Sequence, residues 1–166
     1  GAVREQMDAV DALGIPWDDT PGVSSFCGAA AALGAEYTLP GVSQTLILTR
    51  MAGRTGVPER ENLPALAAHG ASMAIFLSSG RMEAVQQALL EGAYREDTPA
   101  AIVYKATWPE ERVVRCTVGT LAAAGAAAGI TKTALLLIGG FLGTDYTRSK
   151  LYDPSFTTEF RKGREA

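Results

Sequence analysis

The spacing of apolar positions changes along the chain, and that change divides it into elements. From Gly1 to Leu13, Val3, Met7, Val10 and Leu13 recur at helical intervals, while Glu5, Asp8 and Asp11 fall mostly off that stripe. The pattern predicts an amphipathic helix, with Gly14 as its stop. Ile15 to Thr20 carries β-type residues and predicts a short strand, with Asp18 and Asp19 weighing against it. Thr20 to Gly34 (TPGVSSFCGAAAALG) holds a Pro21-Gly22 turn, a Ser24 or Ser25 helix cap and a helix made almost wholly of small residues. A helix of that kind can lie very close to another backbone or to a ligand. Helix, strand, turn, helix is the rhythm of an α/β layer. One strand cannot make a sheet, so residues 1–40 are expected to be the tail of a second α/β domain whose earlier strands are missing.

After a connector at Ala35 to Ser43 the period shortens. Strands are expected at Gln44 to Thr49 (QTLILT), Ser72 to Leu77 (SMAIFL), Ala100 to Lys105 (AAIVYK), Arg112 to Val118 (RVVRCTV) and Ala134 to Ile138 (ALLLI). Helices are expected at Asn62 to His69, with Pro64 in the first turn, at Arg81 to Glu91 behind a Ser78 or Ser79 cap, and at Thr120 to Gly129. The loop Ala106 to Glu111, with Trp108-Pro109, is short enough for an antiparallel hairpin. The fold class is therefore α/β: a C-terminal mixed five-stranded sheet with helices over residues 41–145, preceded by that tail. Residues 146–166 read as a polar C-terminal extension with scattered aromatics.

Composition narrows the function classes. Of 166 residues 47% are hydrophobic and 20% charged, as in a soluble globular protein. A net charge of −3 with no basic block argues against nucleic acid as a partner. The longest apolar run, Ala134 to Leu142, is too short to cross a bilayer, and no signal peptide is visible. Cys27 and Cys116 stand alone, without metal or CxxC spacing, and read as reduced, buried thiols of a cytoplasmic protein. The chain begins without Met and directly with a helix, as a fragment would.

Acid–base chemistry is sparse. His69, the one histidine, falls at an expected helix end, where a capping or surface role suits it better than ligation. No cluster has metal spacing, no P-loop is present, and no GxGxxG follows a strand. An enzyme so equipped needs an activated substrate or cofactor to carry its reaction.

The segment PGVSSFCGAAAALGAEYTLPGVSQTLILTRMAGRT resembles the middle of the tetrapyrrole (corrin/porphyrin) methyltransferases. Four further segments match in order: GAVREQMDAVDALGI, HGASMAIFLSSG, TPAAIVYKATWPEERVVRCTVGTL and ITKTALLLIGGFLGTDYTRSKLYDPSFTTEFR. TLPGVSQTLILTRMAGRT and SKLYDP point to the branch that methylates precorrin-4 or cobalt-precorrin-4 at carbon 11 in cobalamin biosynthesis. The resemblance implies two α/β domains with S-adenosylmethionine in the cleft between them and S-adenosylhomocysteine as product. It implies cofactor contacts at Ser24, Ser25, Leu77, Ala101, Ala106, Thr133 and Ala134. It also implies a polycarboxylate tetrapyrrole substrate, for which Arg50 and Arg54 are the candidate cations, and a homodimer.

That family's glycine-rich GxGxGDP-type start and its later GDP segment are not in this sequence. Two other readings therefore stand beside the enzyme. One is a non-catalytic C-terminal module that dimerises or binds a ligand. The other is a sister precorrin methyltransferase acting at another ring carbon.

Overall fold

The structure is a computed structural model and describes residues 2–164. Gly1, at the start of the expected first helix, and Glu165 and Ala166, in the expected extension, lie outside the described residues. Five strands form one mixed sheet in the order β1-β2-β5-β3-β4. They are β1 (Leu46–Arg50), β2 (Ser72–Phe76), β3 (Pro99–Tyr104), β4 (Arg112–Thr117) and β5 (Ala134–Ile138). Among the described residues only β1 and β2 pair in parallel; β2-β5, β5-β3 and β3-β4 are antiparallel. The parallel pair needs a crossover, which runs through α3 (Leu63–Ala67). The β3-β4 pair is the expected hairpin, in register from Pro99↔Thr117 to Tyr104↔Arg112.

The central strands are buried on both faces. Met73, Ala74, Ile75, Ile102, Leu136, Leu137 and Ile138 are fully enclosed, and near-continuous apolar runs are what such strands require. On one face lie α3, α4 (Met82–Leu90) and α5 (Leu121–Ala127), packed through Leu63, Val85, Leu89 and Leu121 onto Met73, Ile75, Ile102, Leu136 and Ile138. Gly92 lets the end of α4 touch α3, because a Cβ there would stand 2.5 Å from the Ala67 Cβ. Asn62 caps α3 through its side-chain oxygen, which accepts from the Ala65 N–H at 2.8 Å.

On the other face lies α2 (Ser25–Leu33), which starts and stops where the sequence reading placed it. Ala29 and Leu33 join Tyr37 and Phe141 over Ala74, Ala101, Val103, Leu135 and Leu137. Residues 26–39, part of the segment assigned on sequence grounds to a separate N-terminal unit, thus pack as the second layer on this sheet. Arg115 of β4 donates to the Leu33 carbonyl at 2.9 Å, covering the open C-terminus of α2.

Three expectations need correction. Residues 15–20 form no strand: no neighbour offers them a ladder, and the Trp17 indole N–H turns back to donate to the Asp11 carboxylate at 2.8 Å. The amphipathic helix α1 (Val3–Ala12) forms as expected, and none of its residues is buried. Neither Ser78 nor Ser79 caps α4; the Ser78 hydroxyl instead accepts from the Met51 N–H and donates to the Phe76 carbonyl. Cys27 is exposed rather than buried, whereas Cys116 is half-buried and its thiol is pushed up to about 11 by burial. Phe141, beyond the last expected strand, belongs to the core, its ring centroid 4.9 Å from that of Tyr37.

Candidate functional site

Pairing registers bring four strand ends to one edge of the sheet. Arg50 of β1 stands beside Phe76 of β2, and Tyr104 of β3 beside Ala134 of β5. The chain thus leaves β1, β2 and β3, and enters β5, along the same edge. A cleft of about 230 Å³ opens there. Its small lining residues are Ser25, Ala106, Thr133 and Ala134; its apolar walls are Phe76, Leu77, Val103 and Leu135; Lys105 and Trp108 stand on the hairpin side. The carboxyl edge of a sheet is where α/β folds place ligands, because strand ends supply unpaired backbone groups and loops supply side chains.

The backbone around this cleft is strained. Among the described residues four that are not glycine have positive φ: Leu77 at 51°, Lys105 at 48°, Thr107 at 71° and Thr133 at 56°. Leu77, Lys105 and Thr133 line the cleft and Thr107 sits in the same turn as Lys105. Each such residue costs on the order of 1–3 kcal/mol and persists only where its surroundings hold it. The holding bonds are visible. The Lys105 N–H donates to the Thr133 carbonyl at 2.9 Å, the Trp108 N–H to the Lys105 carbonyl at 2.9 Å, and the Thr107 N–H to Glu111 Oε2 at 2.6 Å. Among the described residues neither the N–H nor the C=O of Ala106 has a protein partner, and Ala106 is half-buried at the cleft wall. A half-buried peptide group left open at such a wall is suited to pairing with a ligand edge.

Helix α2 closes the cleft from the second layer because its side chains are small. A Cβ on Gly28 would lie 3.2 Å from Thr107 Cγ2 and 3.6 Å from the Ala106 Cβ. The helix therefore presses directly on the strained turn. Ser24 occupies its N-cap in an extended conformation and makes no side-chain capping bond, and Ser25 opens its first turn into the cleft.

Five of the seven residues named as cofactor contacts on sequence grounds meet in this one cleft: Ser25, Leu77, Ala106, Thr133 and Ala134. Ser24 is adjacent, at the helix start. Ala101 is apart: it is fully buried in the layer between the sheet and α2. The two arginines have different settings. Arg50 donates to the carbonyls of Met51, Thr55 and Gly56 and to the Thr55 hydroxyl, so its guanidinium is engaged in holding its own loop. Arg81 also reaches that loop, donating to the Ala52 carbonyl. Arg54, at the loop tip, is exposed and has no partner among the described residues. The loop borders a second, more open hollow of about 490 Å³, which shares the Phe76 wall with the cleft.

Sequence reasoning missed Lys105 and Trp108. The Lys105 ammonium lies 5.5 Å from the Tyr104 ring centroid and 5.0 Å from that of Trp108, with Glu110 Oε1 at 3.5 Å. Arg112 stacks on the other aromatic, 5.0 Å from the Tyr104 centroid. The signal that could have found them is YKATWPE itself: two aromatics and a cation within five residues at a hairpin turn. Among the described residues no cluster of His, Cys, Asp or Glu could hold a metal ion. None of the described helices is long and apolar enough to cross a membrane.

Comparison with known proteins identifies relatives of this chain. The family described as Tetrapyrrole (Corrin/Porphyrin) Methylases matches residues 1–122. A cobalt-precorrin-4 C(11)-methyltransferase of Methanocaldococcus jannaschii is 47% identical over 166 residues, covering 99% of this chain and 64% of that protein. A precorrin-4 C(11)-methyltransferase of a Sinorhizobium species is 45% identical over 162 residues, 96% of this chain and 64% of that protein. The chain thus spans a little under two thirds of the length of the curated relatives it matches. The X-ray structure of a cobalt precorrin-4 methyltransferase superposes with a TM-score of 0.84 at 46% identity, over 87% of this chain and 60% of that one. A uroporphyrin-III C-methyltransferase of Thermus thermophilus, solved with S-adenosylhomocysteine, shares the fold: TM-score 0.68 at 21% identity, over 86% of this chain and 61% of that one. With the fold, the carboxyl-edge cleft and these matches together, the chain belongs to the tetrapyrrole (corrin/porphyrin) methylases.

Proposed function

We propose that this chain supplies the nucleoside-binding half of an S-adenosylmethionine-dependent methyltransferase that methylates a precorrin-4-type tetrapyrrole at carbon 11, in cobalamin biosynthesis. The observation that carries the reading is the convergence of Ser25, Leu77, Ala106, Thr133 and Ala134 on one cleft, with the Ala106 peptide open. The names of the relatives supply the ring carbon and the substrate class.

The residues present fit the nucleoside part of the cofactor. Adenine suits apolar walls with a few backbone hydrogen bonds, and Leu77, Val103 and Leu135 provide the walls while Ala106 provides the donor and acceptor. At about 230 Å³ the cleft falls below the roughly 300–1,000 Å³ that encloses a drug-sized ligand, so it takes a part of the cofactor rather than the whole. Ser24 and Ser25 offer hydroxyls, and the start of α2 offers amides, to the remainder. When bound, S-adenosylmethionine supplies a methyl group on a sulfonium, a good leaving group. The task left to the protein is orientation of two reactants, which accounts for a site with no triad. Arg54 is exposed on the loop between Arg50 and Gly56, both of which line the second hollow, and is the cation offered to the carboxylates of the macrocycle. We assign the chain to the cytoplasm and to a homodimer on the same resemblance.

The test is photo-crosslinking with methyl-labelled S-adenosylmethionine followed by peptide mapping. Label in peptides holding Ala106 or Ser25, displaced by S-adenosylhomocysteine, is the expected result. Label elsewhere, or label that S-adenosylhomocysteine does not displace, contradicts the reading.

A further inference from the structure

The hairpin turn carries a large aromatic side chain with no packing task in the core. Trp108 is 56% exposed, yet its indole lines the cleft. An exposed indole at the tip of a turn is common on protein surfaces. Its position is nonetheless fixed. The Trp108 backbone N–H donates to the Lys105 carbonyl at 2.9 Å, the Trp108 backbone carbonyl accepts from the Glu111 N–H at 3.0 Å, and the Lys105 ammonium rests 5.0 Å from the indole centroid. Lys105 is in turn braced by the Tyr104 ring and Glu110. The turn thus holds an aromatic face in place before any ligand arrives, at the expense of two left-handed residues, Lys105 and Thr107.

Two residues away, the Ala106 peptide offers a donor and an acceptor without protein partners. A flat heterocycle has exactly these two needs: hydrogen bonds along its edge and an aromatic or apolar surface against its face. Resting on the nucleoside-binding reading above, we propose that Trp108 is an affinity-setting wall for the nucleobase, its indole packing against a purine whose edge pairs with Ala106. The aliphatic residues Leu77 and Leu135 complete the pocket. Base–aromatic packing of this kind makes binding roughly 10- to 100-fold tighter than an alanine in its place.

The test uses two ligands and three variants of the full chain. S-adenosylhomocysteine carries the amino-acid tail and adenosine does not. Trp108→Ala is expected to weaken both by the same factor, roughly 10- to 100-fold, while Trp108→Phe keeps most of the affinity. The thermal midpoint without ligand stays unchanged, since the indole is exposed. Because the chain has only two tryptophans, Trp17→Phe leaves Trp108 as the sole indole, and its emission is expected to shift on adding either ligand. Three results overturn the proposal while leaving the cofactor reading intact: Trp108→Ala binding both ligands as the unsubstituted chain does, Trp108→Ala losing S-adenosylhomocysteine but not adenosine, or emission that does not respond. An unsubstituted, folded chain that binds neither ligand overturns both.

Discussion

The Lys105 N–H donates to the Thr133 carbonyl at 2.9 Å, and both residues that make this bond have left-handed backbone. The bond ties the end of β3 to the start of β5 at the rim of the cleft. Thr133 is β-branched, for which a positive φ is a true outlier. Thr133→Gly removes that strain but adds the entropy cost of glycine, about 0.5–1 kcal/mol. The expected net result is a stability gain of about 1 kcal/mol, or a thermal midpoint about 2–4 °C higher, together with weaker binding of S-adenosylhomocysteine. Paired thermal melts and titrations check it. A variant that is less stable and binds as before would show that the strain has no role in the site.

Gly92 and Ala67 test the packing of α4 on α3 independently of the cleft. A Cβ at position 92 would stand 2.5 Å from the Ala67 Cβ and 2.7 Å from its carbonyl carbon, and backbone cannot swing aside as a side chain can. Gly92→Ala is expected to destabilise the chain by about 1–3 kcal/mol, read as a lower urea midpoint with an unchanged slope. Ligand affinity in the remaining folded protein stays the same.

Arg50 and Arg54 lie four residues apart and are expected to behave differently. Arg50→Ala removes bonds to Met51, Thr55 and Gly56, so amide exchange across residues 51–57 speeds up. Arg54→Ala leaves exchange unchanged, because an exposed side chain without partners contributes little to the fold. If both variants loosen the loop equally, the distinction between a loop-holding arginine and a ligand-facing one is lost.

Three groups make stability depend on alkaline pH. Burial pushes Tyr37 and Tyr94 from 10.0 up to about 12 and Cys116 from 9.0 up to about 11; the neighbouring Cys27 adds to the effect at Tyr37. Each group is neutral when protonated, and the folded chain keeps protons that the unfolded chain releases. Stability is therefore fully present below about pH 9 and falls as pH rises through 9–12. Urea midpoints measured at intervals from pH 8 upward check the sign; a midpoint that is flat or rises above pH 9 contradicts it. The Tyr37 and Tyr94 hydroxyls donate to the Phe26 and Ala71 carbonyls, so their ionisation also breaks interior bonds.

Much of this architecture was legible in the chain. Ala134 to Ile138 reads as a core strand and is one, since five apolar residues ending at Gly139-Gly140 leave little choice. Ser25 to Leu33 is equally plain, bounded by a serine cap position and Gly34. Ile15 to Thr20 misled because β-type residues make a strand only where a neighbour supplies a ladder. Cys27 misled because its helix is apolar almost all round, so composition could not say which side faces out. The strained turns were not legible at all. Leu77, Lys105, Thr107 and Thr133 rarely take left-handed backbone, and only the registers that bring β2, β3 and β5 to one edge show why they do. The cofactor residues themselves came from resemblance; the structure brings five of them together.

The central claim is that the cleft at the ends of β2 and β3 binds the nucleoside of the cofactor. Calorimetric titration of the chain with S-adenosylhomocysteine tests it most directly, with Ser25→Leu as the paired variant, because Ser25 is exposed at the cleft and its replacement fills the space without touching the core. The account predicts one site per chain with micromolar affinity that Ser25→Leu abolishes. No binding to a chain shown to be folded, or binding that Ser25→Leu leaves unchanged, would contradict it.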